Sequence, residues 1–229
     1  MQIRGLPVHW IRGSRLIIGD TKAFLRAHVW RVAAISVLLL VPCFWHRRIE
    51  ASDLASHTYN AWLAQLVAHG QAPGLYVVPQ ATNVMFDVAL ARTGELTGLV
   101  AAEKIAVSAC VLIFFWGAFA YMSVMTERPP WFLVPALAMI AYGWTFSMGF
   151  MNFYLSVGLA FAGAAISLYA RGWEWILTLL IAAAVFLAHV MGFTLLVGLV
   201  AYREVAKRSR GWFRWLVPAS ALLVVAAVS

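Results

Sequence analysis

No charged side chain interrupts the chain between residues 105 and 125. A run of that length matches the roughly 20 apolar residues a helix needs to cross the hydrocarbon of a bilayer. Comparable apolar runs occupy residues 29–45, 131–147, 153–170 and 175–202, and another begins near residue 213. Composition points the same way: 63% of the 229 residues are hydrophobic and 11% are charged, where a soluble domain carries about a quarter charged residues. The expected fold class is therefore all-α, a polytopic transmembrane helical bundle with about seven spans and interface-parallel helices in its first external loop.

Charge sets the expected orientation. The chain carries a formal net charge of +8, a balance that in a soluble protein would point to nucleic acid. Its distribution excludes that partner: residues 1–31, 127–130, 171–174 and 203–214 hold 13 of the 17 Lys and Arg, whereas residues 46–104 hold four basic and five acidic residues. This is the positive-inside asymmetry. It places the N-terminus in the cytoplasm and the 46–104 loop outside, or in the periplasm. The same rule decides the 28-residue apolar stretch 175–202. A single crossing would strand Arg203, Lys207, Arg208 and Arg210 outside, so two short passes turning at His189–Gly192 are expected.

Four parts follow from this: a basic cytoplasmic arm (1–28), a first transmembrane helix (29–45), an external loop with amphipathic helices (46–104) and a transmembrane bundle (105–229). Residues 1–25 read as a poorly ordered or interfacial arm on anionic lipid. The arm is not a cleavable signal peptide, because its basic region is long and no small-residue cleavage site follows. Cys43 and Cys110 fall in or beside spans and read as buried free thiols. The last apolar run is still open at Ser229, which suggests the N-terminal part of something longer.

The loop carries the chemistry-bearing residues. Ser52 or Asp53 is a good N-cap for a helix ending near His69, with Gly70 as its stop signal. Leu54, Ala61, Trp62 and Leu66, with Ala55, Tyr59, Leu63 and Val67, give that helix a broad apolar face, while Ser56, His57, Asn60 and Gln65 read as its solvated side. A second short helix is expected over 81–91, with a turn at 92–98. Small residues around Gly158 and Gly163 suit close packing of the span that begins near 153.

Ionisable groups near membrane depth are costly and so are candidates for function. Glu50 and Asp53 are three residues apart and would share a face if both were helical. Such a pair can hold a divalent cation, or one member can act as a general base beside the other. An N-cap role accounts for Asp53 equally well. His57 lies one turn after Asp53 and can orient it, or can simply be solvated. Arg47 and Arg48 can bind a lipid phosphate or anchor the loop in the headgroups. Asp87 lies one turn after Asn83, and a carboxylate facing water is the simpler reading. His189, between two apolar runs, reads first as an interhelical hydrogen-bond partner and second as a ligand. No zinc-type Cys/His spacing, P-loop, Rossmann motif or nucleophile elbow is present.

One short span, a long external first loop with an Asp just past the membrane, and many spans after it resemble the GT-C integral membrane glycosyltransferases, including bacterial members of uncharacterised specificity. The strings SDLASHTYNAWLAQLVAHGQAPGLY, GFMNFYLSVGLA and LAHVMGF carry the resemblance. It implies a bacterial inner-membrane enzyme that takes a sugar from a polyprenyl-phosphate donor. In that family an acidic residue of the first loop is the catalytic base, a position matched by Asp53, with Glu50 as its neighbour. Basic residues hold the lipid phosphate, which fits Arg47 or Arg48; His57, Asp87 and His189 complete the expected substrate side. Some members use Mg or Mn through a D-x-D or E-x-D pair, from which Glu50-x-x-Asp53 departs. The further spans and soluble C-terminal domain of typical members are not among these 229 residues. Two other classes fit the composition: a transporter or lipid flippase with Arg47, Asp53 and His189 along its path, and a scaffold whose external helices dock a partner.

Overall fold

The computed structural model describes residues 15–170 and 172–208, and all regular structure among them is helical. Helix α1 spans Arg15–Trp45. The expected arm is thus helical from Arg15 onward, because between there and the apolar run only Gly19 weakens the helix and no proline breaks it. The arm before residue 15, the seventh span expected from residue 213 and the basic residues 210 and 214 lie outside the described residues. Among the described residues, three helices are long and apolar enough to cross a membrane: Arg26–Trp45, Leu99–Thr126 and Met151–Leu168.

Helices α2 (Leu54–Ala68) and α3 (Met85–Thr97) form the loop, and α4 (Leu99–Thr126) is the first long helix after it. The turn expected at 92–98 is helical almost throughout. Gly94 is buried there, with the Gln65 and Leu99 side chains occupying the space a Cβ would need, so this glycine serves close packing and does not break the helix. The break falls at Gly98, whose φ of 76° only glycine adopts freely.

The apolar run 131–147 is not one helix. A 3-10 turn at Trp131–Leu133 leads into α5 (Val134–Ala141), and α6 (Trp144–Ser147) follows an extended Gly143. The Tyr142 hydroxyl turns inward at this break to the Leu39 carbonyl and lies 3.4 Å from Cys43 Sγ. Cys43 and Cys110 are both free and buried, as expected. The hairpin expected at 148–152 shortens to a tight turn before α7 (Met151–Tyr169).

Helix α8 (Glu174–Ala188) returns along α7, and α9 (Val190–Arg208) runs back again. Contacts fix the two directions. Gly192 abuts Ser156 near the start of α7, while Arg203 donates to the Ser167 and Leu168 carbonyls at its end. Those carbonyls belong to the last turn of a helix, where the regular intrahelical donors run out; that of Ser167 also accepts from the Ala170 N–H that caps the helix. The chain therefore does reverse at His189, and Arg203 returns to the end of the bundle where α7 finishes.

The bundle is centred on α4 and α7. A Cβ on Gly117 would stand 2.3 Å from the Gly158 carbonyl oxygen, so the two backbones touch there. Close approach of this kind lets dispersion contacts hold apolar helices together where lipid supplies no hydrophobic drive. Val107, Val111, Phe115 and Tyr154 fill the adjoining core.

Candidate functional site

The loop is seated on the bundle through chain ends that have no partners of their own. The first amides of a helix and its last carbonyls lack intrahelical partners. Here one helix supplies the other: Ser52 N–H donates to the Ser147 carbonyl and Asp53 N–H to the Met148 carbonyl, both at 2.9 Å. This places the start of α2 against the end of α6. Gly149 makes the approach possible, since a Cβ on it would lie 2.5 Å from Leu54 N and 2.6 Å from Asp53 N. The segment before α3 docks in the same manner on the end of α8, with the Thr82 hydroxyl on the Phe186 carbonyl and Val84 N–H on that of Leu187.

Asp53 occupies the N-cap position of α2, as the sequence suggests, yet its side chain makes no capping hydrogen bond. Its carboxylate instead faces His57, with Oδ2 3.6 Å from Nε2 and 44% of the side chain exposed. That separation is longer than a hydrogen bond and within ion-pair range. The other imidazole nitrogen, Nδ1, meets Asp87 Oδ1 of α3 at 2.6 Å. A carboxylate only accepts, so Nδ1 carries the proton. Asp87 Oδ2 accepts in turn from Asn152 Nδ2 at 2.6 Å. Asp53, His57, Asp87 and Asn152 thus form one line across α2, α3 and α7.

Two expectations are corrected here. His57 is not a solvated side chain: only 12% of it is exposed, and its ring stands edge-on to Phe86. The packed side of α2 runs through Leu54, His57, Thr58, Ala61 and Gln65, whereas Tyr59 and Trp62, expected on the apolar face, are exposed. The loop folds onto the bundle, so the face that packs is the one complementary to α3 and α4. Asp87 likewise does not simply face water, because both its oxygens have partners. Burial lowers the affinity of His57 for a second proton, but the hydrogen bond to Asp87, then the charges of Asp87 and Asp53, outweigh it. The result is a pKa above the ordinary 6.5.

Asn152 is 1% exposed and was not among the residues the sequence singles out. Its Oδ1 accepts from Phe86 N–H at 2.7 Å, an otherwise unpaired amide at the start of α3, and its Nδ2 also donates to the Asn83 carbonyl at 3.1 Å. Turning the amide over would set oxygen against two oxygens, so the network itself fixes its orientation. An uncharged amide at the head of an apolar helix was the only available signal.

Glu103 of α4 organises a second cluster and is also a residue the sequence left without a role. It is buried and accepts from Arg48 Nη1 at 3.0 Å, Ile49 N–H at 3.2 Å and the Thr58 hydroxyl at 3.1 Å. Arg48 is thereby paired to a buried carboxylate while 54% of its own side chain stays exposed, and Arg47 beside it is exposed as well. Lys104 donates to the His46 carbonyl at 2.8 Å.

The remaining candidates do not join the line. Glu50 precedes α2 in a non-helical segment, so the shared helical face that would pair it with Asp53 does not form. No group of three His, Cys, Asp or Glu side chains able to hold a metal ion occurs among the described residues. The geometry explains why. His57 spends its two nitrogens on opposite carboxylates, so these donors spread along a line and do not converge on a point. His189 lies in extended conformation between α8 and α9 and accepts from Met191 N–H at 3.1 Å, with its ring edge-on to Phe153. That is an N-cap for α9, within the helix it starts and not between helices.

Fold and site together define an all-helical protein with apolar helices of membrane-crossing length and a partly exposed acid–histidine–acid line in its first loop. No family model, curated protein or solved structure matches the chain.

Proposed function

We propose that this chain is a membrane glycosyltransferase that moves a sugar from a polyprenyl-phosphate donor to an acceptor hydroxyl. The observation that carries the reading is Asp53: a carboxylate that makes no capping bond and is partly exposed, its backbone seated on the turn that leads into α7, a helix of membrane-crossing length. In the full reading about seven spans cross a bacterial inner membrane, the N-terminus is cytoplasmic and the α2–α3 loop lies on the external face. The lipid-linked donor then reaches the loop through the bilayer, which confines it at the right depth.

The reaction is a direct displacement. Asp53 takes the proton of the acceptor hydroxyl, the acceptor oxygen forms a bond to the anomeric carbon, and the bond from that carbon to the phosphate oxygen breaks. The phosphate leaves with the electron pair. Arg47, an exposed cation of the same segment, is assigned to meet its charge, since Arg48 is already paired to Glu103. No step is assigned to Mg or Mn, because the donor set does not converge.

Reconstitution of the chain into vesicles with polyprenyl-phosphate-linked sugars tests this. Wild-type protein should transfer sugar, and Asp53→Asn should insert normally and transfer none. Turnover by the variant at the wild-type rate, or no transfer by the wild type from any donor, would refute the assignment.

A further inference from the structure

The line behind Asp53 is committed to its own contacts, although 29% of the Asp87 side chain is exposed. Asn152 is buried, and Asp87 has one oxygen on Asn152 and the other on His57. We infer that Asp87 and Asn152 are positioning residues for Asp53, acting through His57. The Asn152 amide orients the Asp87 carboxylate, that carboxylate holds the Nδ1 proton of His57, and the Nε2 edge of the ring is thereby kept on Asp53.

Each link has its own geometric cause. Asn152 is immobilised by three hydrogen bonds to the start of α3 and to Asp87. Asp87 sits in the first turn of α3, where the free amides of the helix end favour a negative charge. The ring plane of His57 is set by Phe86 on one side, so fixing Nδ1 also fixes the direction of Nε2. A ring with one proton held at Nδ1 presents Nε2 as a hydrogen-bond acceptor, and a doubly protonated ring presents it as a cationic donor. In the second state the imidazolium lies between two carboxylates and attracts both, which holds the Asp53 carboxylate against the Nε2 edge. The charged groups facing His57 are Asp53 from its own helix and Asp87 from α3. On the α4 side the nearest pair, Glu103 with Arg48, is joined to the neighbouring Thr58. From α7 comes the neutral amide of Asn152.

The inference rests on the reading of Asp53 as the base, and its test separates the two. Chain labelled with 15N and 13C at histidine is placed in lipid nanodiscs, and the His57 ring signals, identified by their loss in His57→Gln, are followed against pH. Asp87→Asn preserves shape and should lower the His57 midpoint by about 1–3 units, the usual effect of removing an adjacent opposite charge. It should also lower the transfer rate with little change in donor KM. Asn152→Ala should shift the midpoint in the same direction by less; should that variant fail to fold, Asp87→Asn alone decides. A midpoint unmoved in Asp87→Asn overturns the inference whatever the activity. A shifted midpoint in a protein that transfers no sugar supports the positioning and overturns the reaction instead.

Discussion

Gly149→Ala is the sharpest test of how the loop is held. Two separate costs apply at this position. The first is conformational: φ is 74°, and a left-handed conformation costs a residue with a Cβ about 1–2 kcal/mol. The second is steric, because the new methyl would lie 2.5–2.6 Å from the backbone nitrogens of Leu54 and Asp53. Backbone cannot rotate away as a side chain can, so the start of α2 must retreat. The bonds from Ser52 and Asp53 to the Ser147 and Met148 carbonyls then lengthen or break, each worth about 0.5–1.5 kcal/mol. The sum is about 2–5 kcal/mol. Gly70→Ala is the matched control: φ is 67°, and nothing lies within 4 Å of the added Cβ, so only the conformational cost of about 1–2 kcal/mol applies. Unfolding of both variants in nanodiscs, read by helical circular dichroism against added SDS, should show Gly149→Ala as clearly the more destabilised. Equal loss in the two variants would mean that the turn at 147–149 does not press on α2, and the account of how Asp53 is placed would fall.

Two further outcomes follow from the same contacts. The His57 pKa is raised in the folded state, so its contribution to stability is complete below the ordinary value near 6.5 and is lost as pH rises through the higher folded value; the SDS midpoint of the wild type should fall over that window, and that of His57→Gln should not. Gly117→Ala should destabilise the bundle by about 1–3 kcal/mol through overpacking, since its Cβ would meet the Gly158 carbonyl at 2.3 Å; an unchanged midpoint would show that α4 and α7 do not touch there.

Residue order made some of this legible and hid the rest. Apolar length announced the long helices α4 and α7, and the charge rule anticipated the reversal at His189. Gly70 and Gly98 sit at helix ends as their φ values of 67° and 76° require. Gly94 misled, because a glycine inside a helix marks either a break or a close contact, and only the neighbours Gln65 and Leu99 tell which. The apolar run 131–147 misled for a related reason: its composition suits a span, but Tyr142 finds its partners on α1 and the helix breaks there. At the site, Asp53 was recognisable from its place after the first apolar run. The pairing of His57 with Asp87 was not, for the two stand 30 residues apart and no local spacing joins them.

What the sequence determined by itself is what depends on a residue's own transfer energy or its near neighbours: the long apolar helices, charge asymmetry, the helix ends at Gly70 and Gly98, and an acid just past an apolar run. Tertiary structure decided which polar atoms meet. A buried hydrogen-bonding group must find a partner wherever the fold brings one. The Asn152 amide therefore went to the start of α3, Glu103 to Arg48 and Thr58, and His57 inward between two carboxylates. Those pairings depend on how four helices pack, which no stretch of the chain encodes alone.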